Sequence, residues 1–329
     1  MKINLASAMF AAATALVALP QAVAAQGFTP KNPECIAPSA PGGGWDFICR
    51  ETAKFLFEMG EIKQAMQVVN LTGGGGGVAY ANVTKERDSD DNLIVAASNG
   101  TTSRLAQGAY PGSSPDDVHW LGTFGAEYGA IAVSKDSPYK TLKELMDAVK
   151  ADPRSVAFAG GSAVGGYDHI KPLLLGKAAG VEDVRQMKYV AFSGGGEAIT
   201  SLLSGSVQAV SGDFSEIRGF VESGDIRILG IMSPERLKSF PDVPTGREQG
   251  YDVIGANWRG LYIPKNASPE AKEFWTNAIK KMADSGPFQE MLVNASIEPF
   301  ENFGPDMDAF VAQNIKEITD ISREIGIIK

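Results

Sequence analysis

Clustered glycine constrains this chain more than its apolar content does. Four times a short β-prone stretch runs into a glycine-rich segment. Glu34-Cys35-Ile36-Ala37 leads to Gly42-Gly43-Gly44, and Gln67-Val68-Val69-Asn70-Leu71 enters the glycine run at 73–77. Val156-Ala157-Phe158-Ala159 enters Gly160-Gly161 and then Gly165-Gly166, and Tyr189-Val190-Ala191-Phe192 enters Gly194-Gly195-Gly196. Further strand signals lie at 93–97, 130–133 and 207–210. Helical patterns follow from about Asp46 to Gly60, after Thr141 (with Glu144 completing a capping box), and at 269–284, 286–293 and 305–324. Strand, Gly/Ser/Asn loop and helix in repeated succession is the pattern of parallel βαβ units in an α/β fold. In open α/β sheets, ligands sit at the carboxyl ends of the strands. The 329 residues suggest two domains, so such loops would face each other across a cleft.

Glycines at a helix start let backbone N–H groups converge on one point, because no side chain blocks the approach and positive φ is accessible. The unpaired N–H groups and the positive end of the helix dipole then favour an anion. Four such loops point to an anion receptor made of neutral backbone, beyond what turn chemistry alone requires. Ser98, Asn99, Ser162 and Ser193 add neutral donors. Asp46 and Asp168 fall where helices begin, and N-capping is the role expected of them. Arg50 and Arg259 are candidate positive charges, equally readable as a solvated and a packed residue. Lys plus Arg is 30 and Asp plus Glu is 39, a net charge of −9 that opposes a nucleic-acid partner. It does not oppose a small anion. Repulsion from charges beyond about 8 Å is screened at physiological salt, so local donors decide.

Catalytic and cofactor chemistry finds little support. With only 2 His and 2 Cys, no metal site is expected. Gly74-Gly75-Gly76-Gly77-Val78-Ala79 fits the dinucleotide fingerprint, but a glycine run fits it loosely. Asp90 and Asp91 also precede the next strand, whereas the ribose-binding acid should end it. No cofactor is expected. Ser162 lacks a nucleophile elbow, since Val164 stands two residues after it. An exported hydrolase built on Ser162, His169 and an Asp is an alternative without a distinguishing signal. His119 reads as a surface or packed loop residue, and His169 as a structural or ligand-contacting one.

Residues 1–25 read as a secretory signal. Lys2 precedes an uncharged apolar run at 6–19, then Pro20, then the A-x-A pattern Ala22-Val23-Ala24. The run is shorter than the roughly 20 residues of a spanning helix. Cleavage removes Lys2 and no acid, so the exported, soluble chain carries −10. An oxidising compartment favours a disulfide between Cys35 and Cys49 over two buried free thiols. Chain-entropy reasoning gives such a loop about 3 kcal/mol.

Ala37-Pro38-Ser39-Ala40-Pro41-Gly42-Gly43-Gly44-Trp45-Asp46 resembles the first-loop motif of the tripartite tricarboxylate transporter receptors, the Bug family. The likeness continues in order through 69–78, Ser137-Pro138-Tyr139-Lys140-Thr141-Leu142, 190–203, Asp242-Val243-Pro244-Thr245, Glu248-Gln249-Gly250-Tyr251 and Asn257-Trp258-Arg259-Gly260. Glu34-Cys35-Ile36-Ala37-Pro38 and Ala97-Ser98-Asn99 look most like the citrate-type receptors. The resemblance implies a two-domain periplasmic binding protein, type II-like, with a hinge-closing cleft. Domain 1 would comprise 26–127 plus 255–329, and domain 2 would comprise 128–254.

The implied ligand is a small di- or tricarboxylate, citrate-like. Pro41, Gly43, Gly44, Trp45 and Asp46 would grip one end of it. Ser162, Ala163, Gly165, Gly166, Tyr167 and Asp168 would grip the other, with Gly76, Ser98, Asn99, Ser193 and Gly194 on the walls. Val164 and Tyr167 stand where the family commonly has small or hydroxyl residues, and Trp45 is bulky, so all three bear on ligand size. The resemblance also implies a periplasmic, non-enzymatic monomer that hands its ligand to membrane permease subunits of a tripartite tricarboxylate transporter. The alternative partner is a membrane sensor kinase.

Overall fold

The computed structural model describes residues 27–329 apart from Lys238, so the expected leader lies outside the described residues. The first part of the chain runs β1 (Glu34–Ala37), α1 (Gly44–Glu58), β2 (Gln67–Asn70), α2 (Gly77–Ala81), β3 (Leu93–Ser98) and α3 (Asn99–Ala106). Then come β4 (Val118–Ser134), α4 (Leu142–Ala151), β5 (Ala157–Gly160), α5 (Tyr167–Ala178), β6 (Lys188–Ala191) and α6 (Gly195–Leu203). β7 (Ala209–Asp213), α7 (Phe214–Glu222), β8 (Ile226–Ile231) and β9 (Ala256–Pro264) follow. The chain finishes with α8 (Pro269–Ala283), α9 (Gly286–Asn294), β10 (Glu298–Phe303) and α10 (Pro305–Glu324). Among the described residues, no helix is long and apolar enough to cross a membrane.

The strand–loop–helix alternation is present. β1 pairs in parallel with β2 and β3, and β5 with β6 and β7. The parallel expectation fails for the strands between the two lobes. β4 is antiparallel to β9 from Val118 opposite Pro264 to Tyr128 opposite Ala256, and antiparallel to β10, β7 and β8. The sequence marked only 130–133 of β4's 17 residues. The strand is buried over most of its length, so it lacks the polar/apolar alternation that betrays a half-exposed strand. Residues up to Tyr128 pair with β9, and residues from Gly129 pair with β7 and β8, so one strand passes through both sheets. His119 lies in this strand, half-buried, not in a loop.

Each lobe has its own core. On one face of the first sheet, Ile48, Cys49 and Leu56 of α1 pack with Leu121, Phe124, Trp275 and Ile279. On the other, Tyr80, Trp120, Trp258 and Tyr262 meet Met307 and Val311 of α10. The second sheet is covered by Leu145, Met146, Phe158 and Leu173 on one side and by Ile199, Phe214 and Ile217 on the other. Buried positions of α1 recur every three or four residues (Ile48, Thr52, Phe55, Leu56), the spacing of one helical face. The Cys35–Cys49 disulfide, Cα–Cα 5.6 Å, ties β1 to this helix. Thr141 and Glu144 form the expected capping box on α4. α10 begins on the first lobe, but Ile325 at its end is buried in the core of the second.

Candidate ligand-binding cleft

The carboxyl ends of β1, β2 and β3 face those of β5, β6 and β7, and the loops that follow them enclose two adjoining chambers. The larger has a volume of about 210 Å³ and the smaller about 50 Å³, and Trp45, Gly100, Gly161 and Ser162 border both. Trp45 packs against the start of α3: a Cβ on Gly100 would lie 3.1 Å from its ring. Gly76, with φ 95°, turns the 73–76 loop beneath it, where a Cβ would lie 2.7 Å from the Tyr110 hydroxyl.

Asp46 and Asp168 are not N-caps. Gly43 and Gly166 occupy those positions, and each Asp sits in the first turn. Asp46 accepts from the Gly42 N–H at 2.9 Å, Arg50 Nε at 2.8 Å and Asn70 Nδ2 at 2.9 Å, so it braces the loop from behind. Burial alone would raise its pKa; Arg50, Gly42 and Asn70 outweigh burial and hold it below the usual carboxylate range. Arg50 is thereby engaged with Asp46. The Gly44 N–H crosses the cleft and donates to Glu216 Oε1 at 2.8 Å. A Cβ on Gly44 would lie 2.9 Å from the Arg259 guanidinium nitrogens, so only glycine lets this loop approach.

In the opposing loop, Ser162 Oγ accepts from the Asp168 N–H at 2.9 Å, and His169 Nδ1 accepts from the Gly165 N–H at 2.9 Å. Burial pushes His169 down to about 4, so the ring is a neutral acceptor stacked on Tyr189. Ser162 and His169 share no hydrogen bond, and the hydrolase geometry does not form. Tyr167 donates across the lobes to the Ala256 carbonyl at 2.6 Å.

Of the expected residues, Gly43, Gly44, Trp45, Ser98, Ser162, Ala163, Gly166, Tyr167, Asp168, Ser193 and Gly194 line one chamber or both. Pro41 is exposed outside them, and Asp46 and Gly76 lie behind the loops. Asn99 is buried toward the hinge, its N–H donating to Asn257 Oδ1 at 3.2 Å. Gly165 lines a separate cavity on the far side of Arg104.

Sequence reasoning named Asp168 and Arg259 but missed the charged cluster that they join at the back of the smaller chamber. Arg259 bridges Glu127 and Asp213, and Lys171 Nζ bridges Asp168 at 2.8 Å and Asp213 at 3.1 Å. Burial works to neutralise Lys171, but Asp168 and Asp213 outweigh it and keep the ammonium charged. Burial would also raise Asp213, and Lys171 and Arg259 hold it low. Burial raises Glu127, with Arg259 only partly offsetting it. Glu216 is pushed up to about 8 by burial and by the nearby Asp168 and Asp213. Arg104 on α3, which lines the larger chamber, was missed too. Beside Asp168 and Arg259, a lone Glu127 inside an apolar strand was a further readable signal for the cluster. Among the described residues, no group of three or more His, Cys, Asp or Glu is placed to hold a metal ion.

Two α/β lobes closing loop ends onto a cleft across a shared strand define a two-domain solute-binding protein. Solved structures share this fold. MatC from Rhodopseudomonas palustris with bound malate aligns with TM-score 0.79 and 22% identity over 88% of this chain and 98% of that one. The periplasmic binding protein BugD aligns with TM-score 0.81 and 21% identity over 90% and 98%. An R. palustris protein with adipate gives TM-score 0.82 and 20% identity over 90% and 97%.

Residues 57–327 match the family described as "Tripartite tricarboxylate transporter family receptor", and the chain belongs to it. Relatives include a UPF0065 protein from the gbd 5' region of Cupriavidus necator, 26% identical over 99% of this chain and 98% of the relative. BugT of Bordetella pertussis is 26% identical over 95% and 94%. Members of this family are binding receptors and not enzymes.

Proposed function

We propose that the protein captures a small carboxylate in the periplasm and presents it, as a monomer, to the membrane permease subunits of a tripartite tricarboxylate transporter. The lobes that close on the ligand are taken as 26–127 with 255–329 and as 128–254. Citrate and related di- and tricarboxylates are the first compounds to test. The observation that carries the reading is the larger chamber. Among the described residues its only charged lining side chain is Arg104, beside the backbone of Gly73, Ser162 and Ala163, whose N–H groups make no hydrogen bond there. Donors gathered without acceptors at the tips of strands and helices are what an anion would satisfy. The malate and adipate held by structures of the same fold support the same ligand chemistry.

The test is a thermal-shift screen of small carboxylates followed by titration calorimetry of those that stabilise. At least one should bind with Kd at or below about 1 μM. A folded protein that no carboxylate stabilises would refute the reading.

A further inference from the structure

The two chambers have opposite electrical character. In the larger one, Arg104 has no carboxylate partner among the described residues. Its Nη1 donates to the Val164 carbonyl at 2.7 Å and to Gln107 Oε1 at 3.3 Å, while its Nε is buried without any acceptor. Trp45 Nε1 is likewise buried and unpartnered. Gly75, at φ 63°, brings the opposing backbone against this guanidinium, where a Cβ would sit 3.5 Å from Nε. Burial lowers the pKa of Arg104 with no carboxylate to offset it. A half-buried cation whose Nε lacks an acceptor, and an indole N–H that lacks one too, mark the place of an anionic group.

The smaller chamber is short of positive charge. Four carboxyl groups, Glu127, Asp168, Asp213 and Glu216, stand against two cations, Lys171 and Arg259. Both cations are already committed, Lys171 to Asp168 and Asp213 and Arg259 to Glu127 and Asp213. Glu127 also accepts from the Ser215 N–H at 3.1 Å, and Asp213 accepts from Asn257. The oxygens left without a partner among the described residues are Glu216 Oε2 and Asp168 Oδ2, on residues that line the chamber. Burial first, and then the facing carboxylates Asp168 and Asp213, raise the pKa of Glu216. A second anion seated here would add to that repulsion, whereas an ammonium would relieve it.

We propose that the ligand is a carboxylate bearing an ammonium group at its far end. Arg104 holds the carboxylate, and Glu216 and Asp168 hold the ammonium. This deepens the carboxylate-receptor reading above and rests on it. The chambers meet at Trp45 and Ser162, and their small combined volume suits a short molecule that spans both. Arg104 then reads the anion, and Glu216 selects against plain dicarboxylates.

The experiment uses matched pairs that differ only in the far group: succinate with β-alanine, glutarate with γ-aminobutyrate, and adipate with δ-aminovalerate. Each is titrated calorimetrically into the mature protein and into Arg104→Gln, Arg104→Lys and Glu216→Gln, with folding checked by circular dichroism. In the wild type, the amino member of the best-binding pair should bind about tenfold or more tightly than its dicarboxylate. Arg104→Gln should weaken both members, and Arg104→Lys should retain part of the affinity. Glu216→Gln should narrow the difference between the members without abolishing binding. A dicarboxylate that binds the wild type as tightly as its amino partner overturns the inference and leaves the receptor reading standing. Failure of these compounds and of the wider carboxylate screen together would sink both.

Discussion

Glu216→Gln separates the electrostatics of the closed cleft from its shape. The amide keeps an oxygen to accept the Gly44 N–H, so the cross-cleft hydrogen bond survives while the titration disappears. Glu216 has an ordinary pKa of 4.5 and one of about 8 in the folded protein. Between those values the folded chain holds a proton that the unfolded chain has released, so Glu216 makes stability fall as pH rises from about 5 to about 8. At about 1.4 kcal/mol per pKa unit, the full shift corresponds to a ceiling of about 5 kcal/mol. Glu216 faces the cleft, and water entering there screens the charge, so the measured effect should be roughly 1–2 kcal/mol. For a chain of this size that is a Tm change of about 2–3 °C. The assay is ligand-free thermal unfolding by circular dichroism from about pH 5 to pH 8. Other groups titrate in both proteins, so the quantity to read is the difference between them. The variant's disadvantage should shrink, or turn into an advantage, toward pH 8. Parallel Tm-against-pH curves would refute the assignment of a buried, proton-holding carboxyl at this position.

Two further outcomes follow from the same packing. Gly44→Ala puts a methyl group 2.9 Å from a guanidinium that Glu127 and Asp213 hold in place, so it should cost about 1–3 kcal/mol by thermal unfolding and weaken carboxylate binding. Replacing Cys35 and Cys49 together by Ser should cost about 3 kcal/mol, and reducing agent should then no longer lower the Tm as it does in the wild type.

What was legible in the sequence was local. Strand signals ending in glycine are short-range patterns, and β1, β2, β5 and β6 stand where those patterns put them. The loops that meet in the cleft were legible through the same glycine runs, but the steric demands on Gly44 and Gly75 come from Arg259 and Ala163, far away in sequence. The strands that join the lobes were not. β4 and β9 are buried on both faces, so neither shows a period, and their antiparallel pairing links residues more than a hundred positions apart. The charged cluster was hidden by the same distance, since Arg259 meets Glu127 across 132 positions. Arg104 looks like an ordinary solvated arginine near the end of a short helix, and the 73–76 loop and the approach of Val164 from the other lobe bury it.

The last helix changes what separation of the lobes entails. Met307 and Val311 anchor its start to the first lobe, while Ile325 is sunk among Leu173 and Leu175 of the second, where Glu324 also pairs with Lys177. Any swing wide enough to admit solute must bend this rod or pull its tail free. The helix therefore acts as a leash on the gape, and the chain's final residues ride with the lobe opposite the one that carries the rest of their own helix. A fluorophore attached after Lys329 would thus travel with that lobe, and the C-terminus offers a natural handle for watching the jaws move.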